Sequence, residues 1–278
     1  MESATPKAAF ALVTGASAGI GAAFARELAA RGHALVLTAR RLDRLETLAT
    51  ELRAAHGVAV ECIACDLADP DAPDLLLAET ARRGLAIDML VNNAGYGVTG
   101  SLVSREWKTH AEFIEVMIAA PTALCHRFIP GMRERGFGRV INVASFAGLM
   151  PAPAGHTLYA ASKSYLIRFS EALALENRHH GINVCALCPG FTYSEFHDVT
   201  GSRKSVSQMP KWVWLDAAEV ARDGLDAVER GIVVRVVGVR YRMIKALFKL
   251  LPDALALKLI SAYSGNFRVT ERGGKPSA

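Results

Sequence analysis

Near its start the chain reads Ala8-Ala-Phe-Ala-Leu-Val-Thr-Gly-Ala-Ser-Ala-Gly-Ile-Gly21, an apolar run that leads into a glycine-rich turn. The apolar run predicts a buried strand, and the residues from Ala22 to Leu28 are typical of a helix. Glycines let a backbone approach a pyrophosphate closely, and a helix N-terminus offers it unpaired N–H groups. The segment therefore predicts a strand, a phosphate-binding turn and a helix in series.

The glycines of this turn, Gly15, Gly19 and Gly21, are spaced GxxxGxG, whereas the best-known dinucleotide fingerprint is GxGxxG. The turn is not followed by Gly-Lys-Ser or Gly-Lys-Thr. A loop that binds a nucleoside triphosphate is therefore not expected.

The alternation of strand and helix continues along the chain. Short apolar strands are predicted near 8–13, 34–39, 58–64, 87–91, 138–144, 182–188 and 232–237, with amphipathic helices between them. This order predicts a single-domain α/β fold, a Rossmann-type doubly wound parallel sheet of about seven strands. With 278 residues, 51% of them apolar, the chain is expected to form a dinucleotide-binding and catalytic domain over 1–239. A C-terminal helical extension over 240–278 is expected to pack on that domain.

The five cysteines favour reduced thiols over a metal site. Cys62/Cys65 and Cys185/Cys188 form CxxC pairs in predicted strands, where residues three apart point to opposite faces and lie about 10 Å apart. They cannot converge on zinc, so no metal site is expected. The odd cysteine count and an N-terminus without the layout of a signal peptide favour a cytoplasmic protein. No apolar run reaches the roughly 18–20 residues of a transmembrane helix.

Tyr159 and Lys163 lie four residues apart in a helix predicted from about Leu158 to Arg178. At that spacing both side chains project from one face of the helix. A lysine held there is expected to stabilise tyrosinate and lower the pKa of the phenol. The pair would then exchange a proton with an alkoxide near neutral pH.

Together these features resemble the short-chain dehydrogenase/reductase family, from about residue 8 to 240. The motifs that carry the resemblance occur in the family's order. They are the glycine turn, Asp66 after a strand, Asn92-Asn93-Ala94-Gly95, Ser145 in Asn142-Val143-Ala144-Ser145, the Tyr159/Lys163 pair, and Cys188-Pro189-Gly190.

The resemblance implies that the protein transfers a hydride between a nicotinamide cofactor and a ketone or aldehyde. Ser145 and Tyr159 would hydrogen-bond the substrate carbonyl, and Tyr159 would supply the proton with help from Lys163. It also implies a homodimer or homotetramer.

The resemblance also implies a set of cofactor-binding residues. Asp66 would contact the adenine, Asn92 and Ala94 would line its pocket, and Lys163 would also hold the nicotinamide ribose. Without the resemblance, Asp66 would be expected only to be the N-cap of a helix. The full set is Gly15, Ser17, Ala18, Gly19, Ile20, Gly21, Arg40, Arg41, Asp66, Leu67, Asn92, Asn93, Ala94, Gly95, Tyr159, Lys163, Pro189, Gly190 and Thr192.

The second strand ends in Arg40-Arg41, where the turn is expected to meet the adenosine ribose. Guanidinium groups suit the 2′-phosphate of NADP(H), whereas NAD(H) usually meets an acidic residue there. The two arginines could instead only begin a charged helix face. NADP(H) is the expected cofactor, and NAD(H) stays open.

Two departures from the family pattern affect the expected site. Met117 stands where many members carry an asparagine that holds a relay water, and a thioether cannot donate a hydrogen bond. The segment from Ser145 to Tyr159 is one residue longer than usual and contains Pro151 and Pro153. The first departure leaves an alternative open, an NADP(H)-binding scaffold or sensor with impaired catalysis.

The segment after Pro189-Gly190 lies where the family places its substrate-covering lid. Its aromatic and methionine content favours an apolar, lipid-like substrate, although the same residues could simply pin a long loop to the core. The residues in question are Phe191, Tyr193, Phe196, Met209, Trp212 and Trp214.

At the C-terminus, Ile244, Leu247, Phe248 and Leu251 recur at helical spacing. Pro252 is expected to end that helix and open a second, from Asp253 to Tyr263, closed by Gly265. From Arg240 onward, eight Lys/Arg against two Asp/Glu give +6. Such an element could lie on an anionic membrane, but packing on the core or on a neighbouring subunit is the expectation. Nucleic-acid binding is not expected, because no recognition motif accompanies the charge.

Overall fold

The computed structural model describes residues 9–193 and 210–264. In that part of the chain, strands and helices alternate as the sequence predicts. The strands are β1 (Ala9–Thr14), β2 (Ala34–Ala39), β3 (Val60–Ala64), β4 (Ala86–Asn92), β5 (Gly138–Val143), β6 (Ile182–Cys188) and β7 (Val234–Val236). The helices are α1 (Gly19–Ala30), α2 (Leu42–His56), α3 (Ala72–Arg82), α4 (Trp107–Ile114), α5 (Ala120–Arg135), α6 (Thr157–Asn177), α7 (Ala217–Glu229), α8 (Val239–Lys249) and α9 (Asp253–Ser264).

The strands form one parallel sheet in the order β3-β2-β1-β4-β5-β6-β7. The chain runs outward from β1 to β3, then returns to β4 on the other side of β1 and runs outward to β7. The carboxyl ends of β1 and β4 therefore face a crevice at the reversal point, where such sheets bind ligands. The prediction of a doubly wound parallel sheet is confirmed.

Alternate side chains of each strand enter two separate layers of the core. In β1, Ala11 and Val13 pack with Phe24 of α1 on one face of the sheet. Phe10 and Leu12 point to the opposite face, where they join Phe113 of α4. This period of two explains why the strands are almost continuously apolar, because both faces of the sheet are covered.

Helices α4 and α5 join through a π-helical turn, Glu115–Ala119, into one long helix from Trp107 to Arg135. Within the described residues, this is the one helix long and apolar enough to span a membrane by length and composition alone. Half of its apolar window is buried inside the fold, where α5 packs on α3, β4 and β5. The apolar composition of this helix is therefore explained by its position in the core.

Four of the five cysteines lie in or beside strands, and Cys125 is buried in α5. Cys185 and Cys188 are buried in β6 and Cys62 is buried in β3, whereas Cys65 lies one residue beyond the end of that strand. All five thiols of the chain are free. The fold accordingly relies on packing and not on cross-links.

The C-terminal extension begins with α8, which ends before Pro252, and α9 follows directly. The predicted pair of helices is confirmed, while the expected terminator Gly265 lies outside the described residues. Tyr241 of α8 is buried in the same core layer as Phe24. The division of the chain at residue 239 stays a prediction.

Candidate active site

The turn between β1 and α1 has the backbone of an anion-binding site. Gly15 and Gly19 both have positive φ, 65° and 55°, which side chains on other residues disfavour. A Cβ on Gly21 would lie 2.3 Å from the carbonyl oxygen of Gly15, so only glycine fits there. Ala18 precedes α1 without a side-chain cap, which leaves the first N–H groups of the helix open to a ligand.

Arg41 connects the end of β2 to this turn. Its Nη2 donates to Ser17 Oγ at 3.1 Å, and the residue stands at the N-cap of α2. Arg40 is also exposed, at the end of β2. The structure thus brings Ser17 and Arg41 together at one corner of the turn, where a phosphate would meet a hydroxyl and a guanidinium group.

Thr14, the last residue of β1, fastens the Asn-Asn-Ala-Gly segment to the glycine turn. Its Oγ1 accepts from the N–H groups of Asn93 at 2.9 Å and Ala94 at 3.0 Å, and it donates to the carbonyl oxygen of Val91. Asn93 Nδ2 in turn donates to the Thr14 carbonyl oxygen at 2.9 Å. Sequence analysis missed Thr14, although a threonine at the end of a buried strand is a hydrogen-bonding signal.

Asn92 does not have the role expected of its side chain. Its Nδ2 donates to Asn142 Oδ1 at 2.8 Å and to the Pro121 carbonyl oxygen, between β4, β5 and α5. As the last residue of β4, Asn92 points into the core, because successive strand residues alternate in direction. The expectation that its side chain lines the adenine pocket is therefore corrected, and Asn93 is the member of the pair that contacts the turn.

Asp66 and Leu67 follow β3 but do not begin a helix. Asp66 is exposed, and its Oδ1 accepts from the Ala68 N–H at 3.1 Å. Helix α3 begins only at Ala72, after Asp71. The helix-cap expectation for Asp66 is wrong, because the carboxylate closes a local turn instead. Leu67 is buried in the core beneath that turn.

Ser145 and Tyr159 come together at the carboxyl end of β5. Ser145 caps a short 3₁₀ turn, Phe146–Leu149, by accepting from the Ala147 N–H at 3.1 Å. A side-chain hydrogen bond links Ser145 to Tyr159, which lies in the first turn of α6. The predicted helix carries both Tyr159 and Lys163, and the extra length with Pro151 and Pro153 lies in the irregular segment before it.

Lys163 is buried beneath Tyr159. Its Nζ donates to the Val143 carbonyl oxygen at 2.7 Å and lies 5.8 Å from the centre of the Tyr159 ring. Burial lowers the pKa of Lys163 to about 8. A buried amine with a pKa near neutrality is suited to proton exchange.

The phenol of Tyr159 differs from the sequence-based expectation. Burial raises its pKa above the usual value, and the hydrogen bond with Ser145 offsets part of that rise. The expected net lowering of this pKa is wrong, because burial disfavours the phenolate and is the largest effect on the group. Tyr159 is therefore held in its protonated form.

Gly148 allows the serine turn to approach α6. A Cβ on this residue would lie 2.6 Å from the carbonyl carbon of Lys163 and 2.7 Å from the Ser164 nitrogen. Backbone atoms cannot yield as a flexible side chain can, so glycine is required. Sequence analysis missed Gly148, because a close approach between distant segments leaves no local signal.

The Pro-Gly segment after β6 is held from two sides. The Pro189 carbonyl oxygen accepts from the Phe146 N–H at 2.8 Å, which ties the segment to the serine turn. Tyr241 of α8 accepts from the Phe191 N–H at 3.0 Å. Thr192 Oγ1 donates to the Gly190 carbonyl oxygen at 3.1 Å, which tightens the bend between them. Sequence analysis also missed Tyr241, because it belongs to the extension and not to a family motif.

Met117 is fully buried in the π-helical turn between α4 and α5. A Cβ on Gly95 would lie 2.9 Å from its sulfur, so the thioether packs directly on the Asn-Asn-Ala-Gly segment. The residue at the expected relay position thus makes an apolar contact.

Aromatic side chains line the start of the lid segment. Tyr193 stacks on Trp214 with ring centres 4.6 Å apart, and Phe191 lies 6.0 Å from the same ring. Trp212 is exposed. Phe196 and Met209, also expected in the lid, lie outside the described residues.

Known proteins resemble this chain in sequence. Residues 9–204 match the family model described as short chain dehydrogenase. A putative ketoacyl reductase of Streptomyces coelicolor is 34% identical over 81% of this chain and 84% of its own length. A short chain dehydrogenase of Pseudocercospora fijiensis is 36% identical over 72% of this chain, and the match spans 65%, just under two thirds, of that protein.

A solved structure resembles this fold over nearly the whole length of both chains. The short-chain dehydrogenase from Sphingobium yanoikuyae in complex with NADPH has a TM-score of 0.77 and 30% identity, covering 97% of this chain and 99% of that one. The family match covers most of the chain and includes β1 to β6 with the site residues from Gly15 to Thr192. This chain therefore belongs to the short-chain dehydrogenase family and is an oxidoreductase.

Proposed function

We propose that the protein is a cytoplasmic, NADPH-dependent reductase of apolar or lipid-like ketones and aldehydes, able also to run in the alcohol-oxidising direction. The observation that carries the proposal is the hydrogen bond between Ser145 and Tyr159, with Lys163 buried one helical turn away. This arrangement holds a proton donor beside the place where a carbonyl oxygen would bind.

The residues present fit a nicotinamide dinucleotide phosphate. The uncapped start of α1 and the turn at Gly15 would hold the pyrophosphate, while Ser17 and Arg41 would hold the 2′-phosphate. The NADPH complex of the Sphingobium relative supports this choice of cofactor. When bound, NADPH supplies a hydride to the carbonyl carbon.

Tyr159 and Ser145 act on the substrate oxygen. Both hydroxyl groups donate hydrogen bonds to the carbonyl oxygen, which polarises the carbonyl and stabilises the negative charge that develops there. Tyr159 then transfers its proton to that oxygen. Because burial raises its pKa, the phenol is fully protonated at the start of each reductive cycle.

Lys163 supports the transient phenolate. Its ammonium group lies close to the Tyr159 ring and is buried, so its charge acts with little screening by water. With a pKa of about 8, it is also able to pass a proton toward Tyr159 after turnover. Met117 offers no amide to hold a relay water, so proton return to Tyr159 relies on Lys163, whose amine is oriented by its hydrogen bond to the Val143 carbonyl.

An apolar substrate is supported by the aromatic wall after β6. Phe191 and Tyr193 both contact Trp214 where the lid segment begins. Large rings with polar tips suit a substrate that carries one carbonyl on an apolar body. The ketoacyl reductase relative from Streptomyces supports a lipid-like carbonyl compound. The five free thiols support a reducing compartment.

The decisive experiment follows NADPH oxidation by the purified protein over a panel of aliphatic, aromatic, steroid and long-chain acyl ketones and aldehydes. Tyr159→Phe keeps the ring but removes the proton donor, so it should lose nearly all turnover while NADPH binding stays close to that of the wild type. Tyr165→Phe is the matched control and should stay active, because it removes a hydroxyl from the same helix that contacts Thr122. Full NADPH binding without turnover on any carbonyl compound would instead favour the scaffold or sensor alternative.

A further inference from the structure

Helix α8 and its C-cap residue, Leu250, carry a row of apolar side chains that the fold leaves exposed. Val239, Met243, Leu247 and Leu250 are 62%, 68%, 59% and 83% exposed. Their spacing of four, four and three residues places them on one face of a helix with 3.6 residues per turn. Isolated apolar residues are normal on a surface, but a continuous row of four on one helix needs a partner.

The exposed row differs from the face that sequence analysis expected to be buried. Tyr241 is the buried anchor of α8, while Ile244, Phe248 and Leu251 are half-buried around it. Leu247 belongs to the outer face. The helix therefore has two apolar faces, and the core covers only one of them.

Helix α9 also exposes apolar side chains. Ala256 is buried, whereas Leu255, Leu257 and Leu259 are all exposed. Both helices of the extension therefore expose apolar side chains.

Basic residues border the row on α8. Helical geometry places Arg242 and Lys249 along one edge of it, and both are exposed. From Val239 to Ser264 the sequence has five basic residues and a single acidic one, Asp253. The outer face of α8, defined by Val239, Met243, Leu247 and Leu250 with Arg242 and Lys249 at its edge, therefore combines apolar surface with positive charge.

We propose that the outer face of α8 binds the surface of a bilayer that contains anionic lipids. Apolar side chains would enter the boundary between headgroups and acyl chains, while the basic residues meet the lipid phosphates. The proposal needs no catalysis and goes beyond the reductase function.

Charge favours a bilayer over a second copy of the chain. A two-fold contact through α8 would bring together two surfaces that each carry +4 over residues 239–264. The following fourteen residues, Gly265 to Ala278, carry +2 and contain no apolar run, so they do not complement the face either. An anionic lipid surface satisfies both the apolar row and its basic edge.

The face is ordered before any membrane contact. Tyr241 Oη donates to the Val213 carbonyl oxygen at 2.7 Å, and Arg240 Nη2 donates to the Trp214 carbonyl oxygen at 2.9 Å. Because the helix is already fixed to the protein, binding does not have to supply the free energy of helix formation.

Cosedimentation of the full-length protein with vesicles tests the proposal. The protein should sediment with phosphatidylcholine vesicles that contain phosphatidylglycerol, stay in solution with phosphatidylcholine alone, and dissociate at high salt because screening weakens the attraction. Equal binding to vesicles with and without phosphatidylglycerol, or no binding to either, would overturn the proposal.

Two sets of substitutions locate the binding surface. Arg242→Gln with Lys249→Gln should weaken vesicle binding about thirty-fold, because each basic residue near an anionic surface contributes about fivefold. Met243→Gln, Leu247→Gln and Leu250→Gln together should weaken it by about tenfold or more. Leu75→Gln and Lys108→Gln, at exposed positions on α3 and α4, are the controls and should bind as the wild type does.

Light scattering of the same variants tests whether the outer face of α8 binds a second copy of the chain and not a bilayer. Since the altered side chains are exposed, melting temperature and molar mass should not change. If the molar mass of the apolar triple variant were half that of the wild type, and the wild type did not bind vesicles, α8 would be a subunit interface and the proposal would fail.

Discussion

The ring of Tyr241 packs against the α-carbon of Gly190 so closely that a Cβ on that glycine would lie 1.9 Å from the tyrosine Cζ. The same ring lies 5.0 Å from the ring of Phe146, which follows Ser145. Helix α8 therefore supports both the Pro-Gly segment and the serine turn from behind. A residue of the C-terminal extension thus positions two parts of the site without lying in either.

Tyr241→Phe should keep this packing but lose the hydrogen bonds to the Phe191 N–H and the Val213 carbonyl. Two lost hydrogen bonds should lower the free energy of unfolding by about 1–3 kcal/mol. NADPH should bind more weakly, because the segment from Pro189 to Thr192 loses its anchor. Denaturant unfolding and NADPH titration measure the two effects. Tyr193→Phe, at an exposed position, should change neither, and equal loss in both variants would contradict the role of Tyr241.

Gly148→Ala should impair turnover more than stability. The new methyl group would meet the backbone of Lys163 at 2.6 Å, so the serine turn must move away from α6 and take Ser145 with it. A shift of about 1 Å at such a site costs about a hundredfold in rate. The measurement is kcat on the best ketone of the panel, compared with the melting temperature.

Gly131→Ala is the control for that substitution. Gly131 lies inside α5, where a Cβ would lie 3.1 Å from Nη1 of Arg135, an arginine ion-paired with Asp88, so alanine should change stability by less than about 1 kcal/mol and leave kcat unchanged. If Gly148→Ala kept full activity, the close approach would not control the position of Ser145.

Sequence patterns anticipate those parts of the site that depend on local geometry. The glycine turn, Ser145 and the Tyr159/Lys163 pair follow from strand ends and helical spacing, and the structure brings them to one edge of the sheet. Gly148 and Tyr241 depend on contacts between distant segments, which no local period records. Spacing alone predicts a lowered pKa for Tyr159, because it reveals the nearby lysine but not the burial that raises the pKa.

Arg41→Ala should weaken NADPH binding about tenfold to a hundredfold, because a charge-assisted contact to the 2′-phosphate contributes about 1.5–3 kcal/mol. NADH lacks that phosphate and should bind nearly as before. Arg40→Ala is the neighbouring control and should have the smaller effect, because Arg41 is the arginine that contacts Ser17 in the glycine turn. Titration with each cofactor measures the dissociation constants for NADPH and NADH. Equal losses for NADPH and NADH in Arg41→Ala would rule out the phosphate contact.

Lys163→Met should stabilise the protein while abolishing reduction. Burial lowers the pKa of this lysine from 10.5 to about 8, so holding the ammonium in the folded state costs stability below that pH. Methionine removes the charge but leaves the Val143 carbonyl without this donor, for a net gain of about 1–3 kcal/mol. Thermal unfolding at neutral pH should show a rise of a few degrees.

The pH dependence of that gain checks its origin. Between pH 8 and 10.5 the unfolded chain holds the Lys163 proton while the folded chain releases it, so wild-type stability rises with pH relative to Lys163→Met. The advantage of the methionine variant should therefore shrink across this window. A constant difference at all pH values would show that packing, and not charge burial, causes the gain.

Reduction by the wild type should also depend on the protonation of Lys163. Its rate should fall as pH rises, whereas stability increases. The ammonium form of Lys163 supports the Tyr159 phenolate, and the free enzyme loses that form as pH rises through about 8. With NADPH as the varied substrate, kcat/KM reports the groups of the free enzyme, so it should be flat near neutral pH and fall tenfold per pH unit well above 8. Lys163→Arg keeps a charge that cannot titrate in this range, so any residual activity should lack the decline. A fall at the same pH in Lys163→Arg would assign it to another group.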